Sequence, residues 1–296
     1  MRKLIVKLKD NKEILISKYI CNQFKNMPYS AFCKALRNKD IRVNDVKVNK
    51  DVVVKEDDNI TLYIKDELLY GFSKQLEIIY EDENILAAYK PKGIISNNEE
   101  NKKLNEPTFE DLVLEYDKDA KICHRLDRNT DGIIMFSKNN IAYIELLKAF
   151  KDNMIIKKYI TFVNNCNFKN DNKIETAYLF TNKKEGYSYI SSENKKGYEK
   201  IITEYNVKYK DTKNDYAKLE IILHTGKTHQ IRAHLKSLFH PVIGDSKYGI
   251  NEINKKFKKN KQCLTAYEYN FNFSKEYKLN YLNNIILKLT EDKIKF

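Results

Sequence analysis

Chemistry in this 296-residue chain is concentrated in Cys123–Gly132, which carries His124, Arg125, Asp127, Arg128 and Asp131. The stretch is too polar for a core, and the Ile133–Phe136 run after it reads as a buried strand. Charged groups at the mouth of a rigid strand are well placed for catalysis. The same residues would also make an ion-paired turn, with Asp127 against Arg125 or Arg128, and charge content alone does not separate the two readings.

A second concentration lies in His224–Leu235 and His240–Gly249, which hold four of the five histidines. Their spacings of five, five and six residues fit neither HExxH nor a CxxC with HxxxH, and no cysteine or glutamate lies among them. On a helix, His229 and His234 would be about 500° apart and would not share a face. No metal site is expected. Bracing of the loop, or contact with phosphate, suits these histidines better.

These groups must be positioned by regular elements. Leu4, Val6 and Leu8 alternate as an edge strand, and Ile14–Ile16, Ile20 and Phe24 follow helical spacing. Ser30 is placed to cap a second short helix at 31–38, which carries Lys34 and Arg37. Ile41–Val48 reads as a hairpin turning at Asn44 and Asp45, with strands at 52–54 and 60–64 around an acidic turn. Leu76–Tyr80 and the run from Asn84 form two strands leading to Lys90-Pro91-Lys92-Gly93, a rigid turn in which Pro fixes φ and Gly frees it. Residues 96–107 are expected as a surface loop, followed by a short helix from Phe109. Ile141, Ile144, Leu147 and Phe150 space as an amphipathic helix capped by Asn139 or Asn140. Ile155–Val163 is a strand, 164–214 form peripheral strands with a turn at Lys195–Gly197, and Asp215–Leu223 alternates as a half-buried strand. Ile231, Leu235 and Leu238 supply the buried side of the next helix.

Fifty-four Lys and Arg against 41 Asp and Glu give a net charge of +13, with a pI near 9.2, which favours a polyanionic partner. The five cysteines are scattered without a CxxC and read as thiols of a reducing compartment. The N-terminus is broken by lysines too often for a signal peptide, and no apolar run approaches a membrane span. A soluble, cytoplasmic protein without membrane partners is expected.

Several stretches together resemble the RluA-type pseudouridine synthases, which isomerise uridine in structured RNA. His124–Gly132 is similar to their catalytic-loop signature, and Lys90–Gly93 to their Lys-Pro-x-Gly turn. Thr225–His234 and His240–Gly249 are similar to their Thr-Gly-Arg-x-His-Gln-Ile-Arg-x-His and His-Pro-x-x-Gly-Asp-x-x-Tyr-Gly stretches, with Lys227 where Arg is usual. Tyr159 matches the tyrosine of a Lys-x-Tyr element. Residues 1–65 resemble an S4-like RNA-binding domain, with Asp45 in place of its turn glycine.

The resemblance implies an α+β fold. A mixed, mainly antiparallel sheet with helices and loops around a central catalytic cleft would occupy 76–296, after a linker at 66–75 and a small α/β S4-like domain at 1–65. It implies Asp127 as nucleophile or proton acceptor at the ribose, Arg232 as its partner, and Tyr159 stacked on the flipped uracil or assisting proton removal. Arg125, Arg128, Lys227 and His229, with Lys34, Arg37 and Arg42 of the first domain, would contact RNA. No cofactor or metal is implied. The substrate would be 23S-type ribosomal RNA or transfer RNA, and the enzyme a monomer. Two departures stand out: Asp131 where the family often has Ser, and Thr265 where Leu-His-Ala is common. The alternatives are an inactive RNA-binding or ribosome-assembly factor on the same fold, and a glycosidic hydrolase, which needs a second carboxylate acid.

Overall fold

In the computed structural model, which describes residues 2–7, 13–24, 27, 29–64, 76–97, 108–294 and 296, the chain separates into two units. These are Met1–Leu76 with Asn97–Glu115, and Glu77–Ser96 with Tyr116–Phe296. No helix among the described residues is long and apolar enough to cross a membrane.

The first unit contains β1 (Arg2–Ile5), β2 (Ile14–Leu15), α1 (Ile16–Gln23), α2 (Tyr29–Arg37), β3 (Ile41–Val43), β4 (Val46–Val48), β5 (Val53–Val54) and β6 (Asn59–Leu62). Helix α3 (Phe109–Tyr116) lies at its boundary. The sheet order is β1-β6-β3-β4, and β2 pairs with β5. Ile16, Ile20, Phe32, Ile41, Ile60 and Leu62 close the core. The predicted hairpin turn is present: Asn44 and Asp45 both take left-handed backbone (φ 49° and 63°), the pair of conformations that matches strand twist. Two expectations are corrected. Ile14 and Leu15 pair with β5 as a strand, so the helix starts only at Ile16. Helix α2 already runs at Tyr29, which puts Ser30 inside its first turn and not at the cap. Leu8, the connector 66–74 and residues 98–107 lie outside the described residues.

The second unit is built on one large sheet. Its elements are β7 (Ile78–Glu81), β8 (Ile85–Lys90), β9 (Lys121–Ile122), β10 (Asp131–Ser137), α4 (Asn140–Lys151), β11 (Ile155–Asn164), β12 (Asn172–Asn182), β13 (Tyr187–Ser191), β14 (Glu199–Asp211), β15 (Tyr216–Leu223), α5 (Gln230–Ser237), α6 (Asn251–Lys256), β16 (Leu264–Phe271) and β17 (Ile286–Lys288). The order is β13-β12-β14-β15-β11-β16-β10-β8-β7, with β9 on β10 and β17 on β16. Among these pairings only β10–β16 is parallel, so the sheet is mixed and mainly antiparallel, as expected. Strand β10 is buried along its whole length. Its second residue is Gly132, where φ is 128° and a Cβ would sit 2.2 Å from the Ala266 carbonyl oxygen. Glycine is required there because the two backbones nearly touch.

Two further expectations change here. Asn139 caps α4 by accepting from the Ala142 amide at 2.9 Å, but the helix buries Ala142, Leu146 and Ala149. Ile141, Ile144 and Leu147 face outward, with Ile144 66% exposed. The spacing was helical, yet the small residues set which face packs close. The supposed surface loop from residue 96 starts inside the protein, with Ser96 and Asn97 buried.

Candidate active site

Asp127 stands on the non-regular segment between β9 and β10, and its neighbours on both sides are pinned. The Ser96 hydroxyl donates to the Leu126 carbonyl at 2.7 Å and accepts from the Leu126 amide at 3.0 Å. The Arg128 carbonyl accepts from Gly93 N–H at 2.7 Å and from the Lys90 ammonium at 3.3 Å. Lys90 is fully buried and also donates to the carbonyls of Pro91 and Ile94. Burial draws its pKa down to about 7 against the opposing charges of Asp131 and Asp127. The Lys-Pro-x-Gly turn is thus a clamp on the loop. His124 helps in the same way: its Nε2 accepts from the Met135 amide at 3.0 Å, and burial with the charge of Lys157 pushes it down to about 3. It is a neutral acceptor packed between Phe150 and Tyr269.

Arg232 reaches Asp127 from α5. Its Nη1 donates to Asp127 Oδ2 at 2.7 Å, while Nε and Nη2 donate to Asp245 at 2.6 and 2.9 Å. Burial alone would lower the arginine pKa, but the hydrogen bonds to Asp245 and the charge of Asp127 outweigh it and hold it raised. Burial would raise Asp245, but Arg232 and the amides of Tyr248 and Lys247 hold it below the usual carboxylate range. Helix α5 is held in place by Gln230, whose Oε1 accepts from Thr225 and from the Lys227 amide, and whose Nε2 donates to the Ile202 carbonyl and the Thr203 hydroxyl. Every polar position of that amide is used.

His229 takes left-handed backbone at the start of the helix (φ 55°) and sets Nε2 4.0 Å from Asp127 Oδ2. Its Nδ1 lies 3.0 Å from the Tyr248 hydroxyl, which itself accepts from the Ser188 amide at 2.7 Å. Burial lowers the His229 pKa against the pull of Asp127. His234 is fully buried and hydrogen-bonds Thr203 at 3.0 Å, so it braces the helix from the other side.

Tyr159 is buried on β11, hydrogen-bonded to Tyr269; burial and the charge of Asp127 push its phenol up to about 12. The two departures that the resemblance implies meet each other. Asp131 and Thr265 are opposite in the parallel β10–β16 pair, and the Thr265 hydroxyl donates to Asp131 Oδ1 at 2.7 Å. Tyr89 donates to Oδ2 at 2.9 Å, and Lys92 lies 3.6 Å away. Asp131 is therefore buried and saturated, and is not offered as a second acid.

Asp127, Arg232 and His229 converge, then, with Tyr159 within reach of the charge on Asp127. Arg125 is exposed and Arg128 half-buried on the same loop. Lys227 is paired with Glu199 at the surface. Lys34, Arg37 and Arg42 belong to the first unit. Sequence reasoning missed Asp245 and Tyr248, although both stand in the His240–Gly249 stretch; an acid beside a turn glycine was the available signal. Among the described residues no group of His, Cys, Asp and Glu is arranged to hold a metal.

A model of the RNA pseudouridylate synthase family matches residues 84–237, more than half of the chain. The "Uncharacterized RNA pseudouridine synthase" of Mycoplasma capricolum subsp. capricolum is 30% identical, over 99% of this chain and 99% of the relative. The ribosomal large subunit pseudouridine synthase C of Buchnera aphidicola subsp. Baizongia pistaciae is 29% identical, over 86% of this chain and 85% of the relative. The solved structure of human RNA pseudouridylate synthase domain containing 1 is 21% identical, covers 70% of this chain and 82% of its own, and shares the fold with a TM-score of 0.58. Agreement over nearly the whole length, with the matched segment containing both the Asp127 loop and the Arg232 helix, puts this chain in the RluA-type RNA pseudouridylate synthase family, as an isomerase acting on RNA.

Proposed function

We propose that the enzyme converts uridine to pseudouridine in large-subunit ribosomal RNA, with Asp127 acting at the ribose. The reaction breaks the bond from ribose C1′ to uracil N1 and joins C1′ to C5. The C5 proton leaves and N1 gains one, so the exchange balances without a cofactor. The observation carrying the site assignment is Asp127 Oδ2 held 2.7 Å from Arg232 on a loop clamped at both neighbours. A carboxylate fixed this way is oriented before the substrate arrives. The base must first leave its stack, at about a few kcal/mol. Tyr159 would stack on it; a phenol held near 12 stays protonated at neutral pH, which argues against its serving as the base for C5.

Ribosomal RNA is favoured over transfer RNA by the names of relatives such as the large-subunit synthase C of Buchnera. An S4-like module at 1–65 is supported by the four-stranded sheet and by exposed Lys34 and Arg37 on α2. Five free cysteines accord with a reducing cytoplasm, and we read the enzyme as a monomer. The test is tritium release from RNA labelled at uridine C5, with unmodified large-subunit ribosomal RNA and transfer RNA offered separately. Release from the first supports this reading, and release from transfer RNA alone overturns it.

A further inference from the structure

Strand β11 carries adjacent lysines with opposite fates. Lys158 is paired with Glu268 at 2.7 Å. Lys157 points to the other face, the one that bears Tyr159, and is only 8% exposed. Among the described residues no carboxylate or carbonyl receives its ammonium; its neighbours are the Phe150 ring, 5.9 Å from Nζ, and His124, whose pKa its charge helps to lower. Burial lowers its pKa with nothing opposing. A buried ammonium without a counter-charge is costly and is retained where a charge arrives.

The route of arrival is visible. Lys157 Nζ approaches the loop between β15 and α5. It lies 3.6 Å from where a Cβ on Gly226 would stand, and Gly226 is exposed on the loop between β15 and α5. The missing side chain leaves room over the ammonium. Lys157 and Tyr159 are two residues apart on one strand face, about 6.8 Å along it. RNA brings a fixed negative charge at every nucleotide, and a compact ammonium suits a phosphate oxygen.

We propose that Lys157 is an RNA-contact residue whose ammonium binds a backbone phosphate flanking the nucleotide extruded toward Tyr159. The proposal rests on the assignment of Tyr159 to the flipped base. Lys157→Met keeps the stem and removes the charge; Lys157→Arg keeps the charge. Binding of an unmodified transcript of bacterial large-subunit ribosomal RNA is measured across a salt series, with melting temperatures and wild-type tritium release read in parallel. Lys157→Met should lower the magnitude of the salt slope by about 0.7, with about fivefold weaker binding at roughly 0.1 M salt. It should melt no lower than wild type, and Lys157→Arg should keep the wild-type slope. An unchanged Lys157→Met slope with wild-type release intact overturns this assignment alone. A reduced slope without wild-type release upholds the phosphate contact and overturns the reaction reading instead. A Lys157→Met protein that fails to fold makes the ammonium structural and also overturns the proposal.

Discussion

Arg232 divides its guanidinium between two carboxylates, giving Nη1 to Asp127 at 2.7 Å and both remaining nitrogens to Asp245 at 2.6 and 2.9 Å. Asp245 is sealed from solvent and is fixed in turn by the Lys247 and Tyr248 amides. The orientation of Asp127 is thus set from the interior, through a planar group that a lysine cannot mimic.

Asp245→Asn should therefore lower both stability and rate, although Asp245 has no place at the substrate. Removing the charge from one side of a buried pair costs about 3 kcal/mol. Denaturant unfolding should show that loss. Single-turnover rate at saturating RNA should fall about tenfold or more, the loss expected for a weakened charged hydrogen bond. An unchanged rate would mean that Asp127 is positioned without Asp245.

Asp131 and Thr265, the two departures that the sequence resemblance implies, hydrogen-bond each other at 2.7 Å across parallel strands. Their effects should not add. Asp131→Ser strands the hydroxyls of Thr265 and Tyr89, and Thr265→His crowds a buried carboxylate. The double variant should recover part of the loss, with a coupling of about 1–3 kcal/mol in a denaturation cycle. Strict additivity would show that the two departures are independent.

How much of this was legible in the sequence differs by scale. Period-two alternation located β15 and the apolar run located β10, because each strand has its neighbours' packing written into its own residues. The loop of Asp127 and the helix of Arg232 were marked by motif. Long-range pairing was not legible: that Ser96 would hold Leu126, or that Asp131 would meet Thr265, depends on strand order across the sheet. Helix α4 failed differently, since the bulky stripe Ile141, Ile144 and Leu147 had the right spacing while the close fit went to Ala142 and Ala149. The burial of Lys157 was equally hidden, because its sequence neighbour Lys158 is ordinary.

Two histidines held neutral predict acid sensitivity. His124 is held down to about 3 and His234 to about 4, chiefly by burial, against an ordinary value of 6.5. Between those limits the unfolded chain binds protons that the folded chain does not, so stability falls as pH drops from 6.5 toward 4. The two groups together should remove about 3.5 kcal/mol between pH 7 and pH 5. Denaturant unfolding at the two pH values checks this, with uptake of about two protons on unfolding near pH 5. A flat profile would contradict the neutral assignment of both rings.

Lys34 and Arg37 lie at the C-terminal part of α2, exposed in the first unit. Replacing both by Ala should weaken RNA binding and reduce the magnitude of its salt slope by about one to two. Single-turnover rate at saturating RNA should stay at the wild-type level. A slower chemical step with unchanged affinity would remove the S4-like binding role proposed for this unit.

The central claim is that Asp127 carries the chemistry, and it is tested most directly by Asp127→Asn in single-turnover tritium release from C5-labelled large-subunit ribosomal RNA. The substitution keeps the size of the side chain and its ability to accept from Arg232 while removing the charge. Wild type should release tritium and Asp127→Asn should release none above background, with RNA affinity retained. Release by the variant at a rate near wild type would contradict the account.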